Sequence, residues 1–377
     1  MTTPRPPLSA APRNLCAAAD YERLAQDFIA PATWAWLSGG SGEERCLRES
    51  RAAFAGWRIT NRVLGDLATG HTRVELVGHA LKHPFLLAPV AAQQLVHPEA
   101  EAASARAAEA LGGGLVLSTL SSLTLEDVAT AAGKGVRWFQ LYFQPQREVT
   151  LDLVRRAEAA GYSALVVTLD APVQPASRRA LEAGFTMPAE GRPGSLSRYA
   201  PPPRRELAAS DSVVFQGLMA DAPTWTDLEW LLAQTRLPVL AKGAAHPADV
   251  RRLRELGVAG FVVSGHGGRA LDELPAPLDL LPTVRAAAGA DATVLLDGGV
   301  RSGADAFKAL ALGANAVLVG RPALQALAVA GAPGVAHLLR LLREELEVTM
   351  ALAGCATLAD ITRDALWRAA NPEHTTC

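Results

Sequence analysis

Short apolar runs recur along the chain at 84–90, 115–120, 138–143, 164–170, 238–243, 260–266, 293–299 and 316–321. Each is nearly continuous in apolar character, rich in β-branched residues and bounded by Gly, Pro or polar positions. Continuous runs suit strands buried on both faces, as in a parallel sheet. Between them lie Ala-, Leu-, Arg- and Glu-rich segments with helical spacing, such as 151–160 and 248–256. Strand and helix alternating in this way predict an α/β fold, a (β/α)8 TIM barrel. A doubly wound sheet is the rival, but no G-x-G-x-x-G follows the first run.

The flanks add detail. Residues 1–15, rich in Pro, Ala and Arg, predict a disordered tail. Residues 16–377 then form one barrel domain, opened by an N-terminal helical extension at about 20–37. That helix stops at Ser38-Gly39-Gly40-Ser41-Gly42, where glycine supplies left-handed capping positions. About 67 residues separate the fourth and fifth runs, far more than a βα loop needs. This long loop after strand 4 holds Pro188, Gly191, Pro193, Gly194 and Pro201-Pro202-Pro203. We read 186–222 as a lid on the catalytic face. An amphipathic pattern at 323–352, with Leu338, Leu339, Leu341 and Leu342, predicts a closing helix packed on the barrel.

Composition narrows the function. The 377 residues carry 36 Lys+Arg against 38 Asp+Glu, a net charge of −2, and 49% are hydrophobic. Such a chain buries a large core. Its balanced charge speaks against nucleic acid and anionic membrane as partners. Cys16, Cys46, Cys355 and Cys377 are far apart and form no C-x-x-C pair, so reduced thiols are expected. The opening Met-Thr-Thr-Pro-Arg-Pro-Pro lacks an apolar h-region. No stretch reaches about 18 uninterrupted apolar residues. The expected location is the cytoplasm.

On a barrel, polar residues at the C-terminal ends of strands face the mouth. In order these are Ser118; Gln140 and Tyr142; Thr168 and Asp170; Lys242; Ser264 and His266, with Arg269 beyond; Asp297, Gly298, Gly299 and Arg301; and Gly320 with Arg321. The last two runs end in Gly-Gly and Gly-Arg. Glycine admits an anion close to backbone N–H groups, and Arg adds charge-assisted hydrogen bonds. Loops after strands 7 and 8 are the usual phosphate cradle of this fold, so a phosphorylated ligand is implied. His266, set among glycines, is the acid–base candidate, because imidazole titrates near neutrality. Asp170 is placed to favour its protonated form. Lys242 either stabilises an anion or forms a Schiff base. No His/Asp/Glu cluster has metal-ligand spacing.

The stretches Ser264-Gly265-His266-Gly267-Gly268-Arg269 and Leu296-Asp297-Gly298-Gly299-Val300-Arg301-Ser302-Gly303 resemble signatures of the FMN-dependent α-hydroxy acid oxidases and dehydrogenases. Ala88-Pro89-Val90-Ala91-Ala92-Gln93, His97-Pro98-Glu99, Trp138-Phe139-Gln140-Leu141-Tyr142 and Val319-Gly320-Arg321-Pro322 agree with it. The resemblance runs from about residue 20 to 365. It implies FMN as cofactor and oxidation of a small 2-hydroxy acid to a 2-oxo acid. Oxygen is the expected acceptor. A quinone or another carrier is the alternative, as is a flavin-binding barrel with little or altered catalysis. The resemblance also implies a homo-oligomer, for which a tetramer is one form.

Roles follow by position. His266 resembles the active-site base, Asp170 the partner of its imidazolium, and Arg269 the clamp on the substrate carboxylate. Tyr142 would hydrogen-bond substrate, and Lys242 would stabilise charge on the reduced flavin. Ala91, Ser118, Gln140, Thr168 and Ser264 would contact the flavin ring. Asp297, Gly299, Arg301, Gly320 and Arg321 would hold ribityl and phosphate. Some positions depart from the family. The family's Tyr-Tyr-Ala-Ser-Gly reads Ala35-Trp36-Leu37-Ser38-Gly39 here, leaving Trp36 as a substitute contact. Ser-Asn-His becomes Ser264-Gly265-His266, expected to loosen the base. The family's second carboxylate arginine falls near Ala176, so Arg178 or Arg179 replaces it only if the loop shifts. Leu120 stands where some members carry Trp. Together the departures point to an unusual or larger substrate, or to weakened activity.

Overall fold

The eight apolar runs pair in parallel and close into a barrel. A computed structural model describes residues 3–202 and 205–368. The barrel strands are β1 (Phe85–Leu87), β2 (Gly114–Ser118), β3 (Val136–Leu141), β4 (Leu165–Thr168), β5 (Val239–Lys242), β6 (Gly260–Ser264), β7 (Thr293–Asp297) and β8 (Ala316–Val319). Each lies within or beside its expected run. Their order around the barrel is β7-β8-β1-β2-β3-β4-β5-β6.

Period-two alternation divides every strand between two cores. Leu86, Val116, Trp138, Val166, Leu240, Val262, Leu295 and Leu318, one from each strand, pack into an inner cluster. Leu76 and Leu81, from the hairpin Val74–Leu76/His79–Leu81, join that cluster. Neighbours such as Phe85, Leu117, Phe139 and Val263 pack outward with the helices. Register then sets the rim. Ser118 lies opposite Gln140, Thr168 opposite Lys242, and Ser264 opposite Asp297. Three pairs of polar strand ends thus meet at the C-terminal mouth.

Three expectations change. The single helix at 20–37 is two helices, Ala18–Ala25 and Pro31–Ser38. Pro31 starts the second, and Ala30 before it is extended at ψ 139°, because proline disfavours helical backbone in its predecessor. The 1–15 tail is not free where it is described. Residues 3–15 lack helix and strand, but Arg5 N–H donates to Asp27 O and Leu8 N–H to Val329 O, both at 2.8 Å. Leu15 is buried in the core. The closing helix, Arg321–Ala353, kinks at Ala330 and Gly331. Pro333 cannot donate within it, and Gly331 takes a φ of +55° at the break. The helix is long and apolar enough to cross a bilayer, yet 78% of its apolar window is buried against the protein.

The excursion after β4 contains the helix Arg178–Glu182, a turn at Ala189–Gly191 and a π-turn at Val213–Leu218. Pro203 and Cys377, named above, lie outside the described residues.

Candidate active site

The barrel mouth opens into a cavity of about 380 Å³. On its floor the rim pairs are linked by hydrogen bonds. Gln140 Nε2 donates to Thr168 Oγ1 at 2.9 Å, and Ser118 Oγ donates to Gln140 Oε1 at 3.3 Å. Across the barrel, Lys242 Nζ donates to Ser264 Oγ at 2.9 Å, and Ser264 Oγ donates to Asp297 Oδ2 at 2.8 Å. Lys242 Nζ also lies 3.3 Å from Asp297. Burial alone would push the Lys242 pKa down, but Asp170 and Asp297 hold it above the ordinary lysine value. Lys242 is therefore a cation on the floor of the site, and its protonated amine is no Schiff-base nucleophile.

His266 follows β6 at a φ of +53°. Its backbone N–H donates to Ser264 Oγ at 2.9 Å. Its Nδ1 lies 2.9 Å from Asp170 Oδ1, and its Nε2 lies 3.1 Å from Tyr142 OH. Burial alone would raise the Asp170 pKa, but Lys242 and the His266 hydrogen bond hold it below the usual carboxylate range. An ionised Asp170 only accepts, which places the His266 proton on Nδ1. Nε2 is then a lone-pair acceptor facing the cavity beside Tyr142, whose phenol burial keeps protonated. Asp170 fits beside β5 because residue 243 is glycine. A Cβ at Gly243 would sit 2.2 Å from Asp170 Cγ, and the residue holds a φ of +92°.

The Ser264-Gly265-His266 sequence does not loosen this base. Cys46 occupies the space a side chain at 265 would need, its Sγ 2.8 Å from the Cβ position there. Three side chains, Ser264, Asp170 and Tyr142, fix His266 from separate directions.

Arg269 lies over the Trp36 ring, 5.0 Å from its centroid. Its Nη1 donates to Trp36 O at 2.7 Å and to Gly39 O at 3.3 Å. The helix Pro31–Ser38 thereby aims the guanidinium. Trp36 lines the cavity and stacks on Phe185 at 5.2 Å, so it contributes a ring and a carbonyl. Arg179 is placed elsewhere. It pairs with Glu44, as Arg178 pairs with Glu43, and neither lines the cavity. Arg179 is therefore not a substrate contact, because the carboxylates after the first helices claim it.

Beside Arg269, which shares the Gly39 carbonyl with Arg321, the cavity is built for a further anion. Arg321 Nε donates to Leu37 O at 2.9 Å, and its Nη2 to Gly39 O and Gly267 O at 2.8 Å. All three acceptors are uncharged. Burial, with Arg269 and Arg301 nearby, lowers the Arg321 pKa to about 10. Arg301 is likewise pushed down by burial. Gly298 and Gly299 complete the wall, and a Cβ at Gly299 would fall 2.0 Å from Ser50 O. Gly320 caps the helix Arg321–Ala353, with no side chain on its free N–H groups. Clustered buried cations, open N–H groups and a helix N-terminus need an anion. A phosphate fits, and the polar floor with the apolar wall at Ala91 and Leu318 fits an attached flavin ring.

Ser264 has structural partners the sequence did not indicate. Its hydroxyl is committed to Lys242, His266 and Asp297, and it does not line the cavity. It braces Lys242, His266 and Asp297 at the floor. Of the 186–222 segment, Met187 and the stretch from Gly191 to Pro193 reach the cavity. Leu207, Val213, Phe215 and the rest of that segment do not line it, and 203–204 lie outside the described residues. Residues without a motif also line the site: Ser50 and Arg51 from the helix Arg45–Ala52, and Gln174 and Arg192 from the excursion. Arg51 bonds Gly299 O at 3.2 Å and Asp305 at 2.5 Å, bracing the cradle.

Fold, base and anion cradle together define a flavin-mononucleotide oxidoreductase built on a TIM barrel. The chain belongs to the FMN-dependent dehydrogenase family, which it matches over residues 25–368. It is 59% identical over 355 residues to an L-lactate oxidase of Alicycliphilus denitrificans, covering 94% of this chain and 97% of that one. It is 42% identical to a 4-hydroxymandelate oxidase of Amycolatopsis orientalis, covering 92% and 96%. A crystal structure of mandelate oxidase with (S)-2-phenylpropionate superposes with a TM-score of 0.85 at 40% identity, covering 94% of this chain and 99% of that one. The cofactor is FMN. Arg301, Arg321, Gly299 and Gly320 would hold its phosphate, and Lys242, Gln140 and Thr168 line the part of the cavity that would take its ring.

Proposed function

We propose that the protein oxidises an (S)-2-hydroxy acid to the 2-oxo acid and passes the electrons to oxygen, giving hydrogen peroxide. The observation that carries this is His266, held between Asp170 and Tyr142, beside Arg269 on the same loop of an FMN barrel. Arg269 takes the substrate carboxylate by charge-assisted hydrogen bonds. Tyr142 donates to the carboxylate or hydroxyl oxygen. Held this way, the substrate presents a proton to Nε2, which accepts it, and Asp170 stabilises the imidazolium. FMN supplies the two-electron acceptor when bound.

The relatives' names, all oxidases, support oxygen over a quinone, and the L-lactate oxidase supports the L (S) configuration. Oxygen uptake with L-lactate, glycolate and (S)-mandelate tests the reading. One peroxide per oxygen consumed is expected. Turnover seen only with an artificial dye would assign a carrier-linked dehydrogenase instead.

The setting is part of the proposal. Cys16, Cys46 and Cys355 are not paired with one another among the described residues, which supports the reducing cytoplasm. Exposed Val63, Leu64, Val348 and Leu352 support a homo-oligomer, which light scattering would size.

A further inference from the structure

Besides Arg51, Lys242, Arg269, Arg301 and Arg321, the cavity is lined by one further cation. Arg192 lines the cavity and is exposed to solvent. Arg178, Arg179 and Arg205 on the excursion pair with Glu43, Glu44 and Asp221, and Arg198 does not line the cavity. None of the ion pairs among the described residues includes Arg192.

Its position is fixed by the chain on its C-terminal side. Gly194 N–H donates to Ser121 O at 2.9 Å. Leu125 N–H donates to Ser195 Oγ at 2.9 Å, and Arg156 Nη1 donates to Ser195 O at 2.9 Å. Ser195 is fully buried and Gly191 is buried. Arg192 is thereby stapled to the loop that follows β2. Arg269 sits on the loop that follows β6. In the closed order of eight strands, β2 and β6 are four places apart, so the two loops face each other across the mouth.

A substrate whose carboxylate and hydroxyl engage Arg269 and His266 directs its remaining substituent toward that opposite wall. The wall is mixed. Leu120, Met187 and Pro193 are apolar, while Gln174 and Arg192 offer hydrogen-bond donors. A 2-hydroxy acid with only a methyl group leaves both donors to water. One with a second carboxylate at its far end satisfies them, and a planar guanidinium suits a carboxylate in particular.

We propose that Arg192 is a specificity-determining residue that selects 2-hydroxy acids carrying a second carboxylate distal to the reacting carbon. The proposal rests on the 2-hydroxy acid reading above and names its substrate class.

The test compares KM and kcat for L-lactate and L-2-hydroxyglutarate in the holoenzyme, in Arg192→Met and in Arg192→Lys. Arg192→Met is expected to raise KM for 2-hydroxyglutarate about tenfold more than KM for lactate. Arg192→Lys should recover part of that difference as a point charge without the fork. FMN content and circular dichroism confirm that each variant is folded. Equal KM changes for the two acids would overturn the proposal, since Arg192 would then only attract anions in general. Wild-type turnover of lactate without turnover of 2-hydroxyglutarate would overturn it alone. Turnover of neither acid, nor of the other 2-hydroxy acids, would bring down the functional reading as well.

Discussion

Asp170 Oδ1 and His266 Nδ1 lie 2.9 Å apart, joining the end of β4 to the loop after β6. The carboxylate fixes the imidazole tautomer, so its Nε2 is free to accept a proton, and it neutralises the cation that results. Replacing His266 by Gln removes the acceptor, and replacing Asp170 by Asn removes the compensating charge. Both variants should retain FMN, because neither replaces a residue of the Arg301 and Arg321 anion cradle. Flavin reduction should slow by about 10²–10⁴-fold in each, as expected for loss of a positioned acid–base group. Stopped-flow reduction under nitrogen measures it.

Arg269 and Arg179 should separate cleanly. Arg269→Met removes the guanidinium beside the base and should raise KM for a hydroxy acid by about 10²-fold, the cost of a lost charge-assisted contact. Arg179→Ala breaks a partly exposed ion pair with Glu44 and a 3.5 Å hydrogen bond to Ser38 Oγ, which together contribute about 1 kcal/mol to stability. Its KM should stay within about threefold. A large KM change in Arg179→Ala would place that arginine in the site after all.

Arg321 makes phosphate recognition measurable. The buried guanidinium, with a pKa lowered to about 10, is costly until an anion arrives. FMN should therefore raise the melting temperature of the apoprotein more than riboflavin, which lacks the phosphate. The advantage is greatest while Arg321 is charged and shrinks as pH rises through about 10. Thermal shift assays with both flavins at pH 7.5 and 10.5 check the sign.

His83 predicts an acid limb of stability. It is fully buried, and its Nε2 has no hydrogen-bond partner. Burial, assisted by Arg343, lowers its pKa from 6.5 to about 4. The unfolded chain takes up a proton below pH 6.5 while the folded one does not. The stability tied to a neutral His83 is thus fully present above 6.5 and lost as pH falls toward 4. The loss is on the order of 3 kcal/mol. Wild type should lose more stability than His83→Gln between pH 7 and 4.5 in urea unfolding. Parallel losses would refute this assignment.

The barrel was legible because strands buried on both faces must be continuously apolar, and all eight announce themselves that way. The strand-end residues His266, Asp170, Lys242 and Arg321 were legible for a related reason: a polar group closing an apolar run has to face the mouth. Other features depend on distant partners. Arg179 was misread because its partner, Glu44, lies on a different segment. The bracing by Ser264 was not legible, because its hydroxyl is shared among three neighbours from β5, β7 and its own loop. The tail was expected to be disordered because its composition is poor in core residues, yet backbone bonds to Asp27 and Val329 tie it down. The helix split at Pro31 was available from sequence through proline's effect on its predecessor. Arg51 and Arg192 carry no motif, and only the closed fold brings them to the cavity.

The central claim is that His266, Arg269 and the FMN barrel act together on a 2-hydroxy acid. The most direct test is the visible spectrum of the purified holoenzyme under nitrogen, recorded before and after adding (S)- and (R)-2-hydroxy acids from lactate through 2-hydroxyglutarate to mandelate. The account predicts that an (S)-acid bleaches the flavin band in the wild type, and that His266→Gln stays yellow on the same timescale. A holoenzyme that keeps its full flavin band with every acid in the series would contradict it.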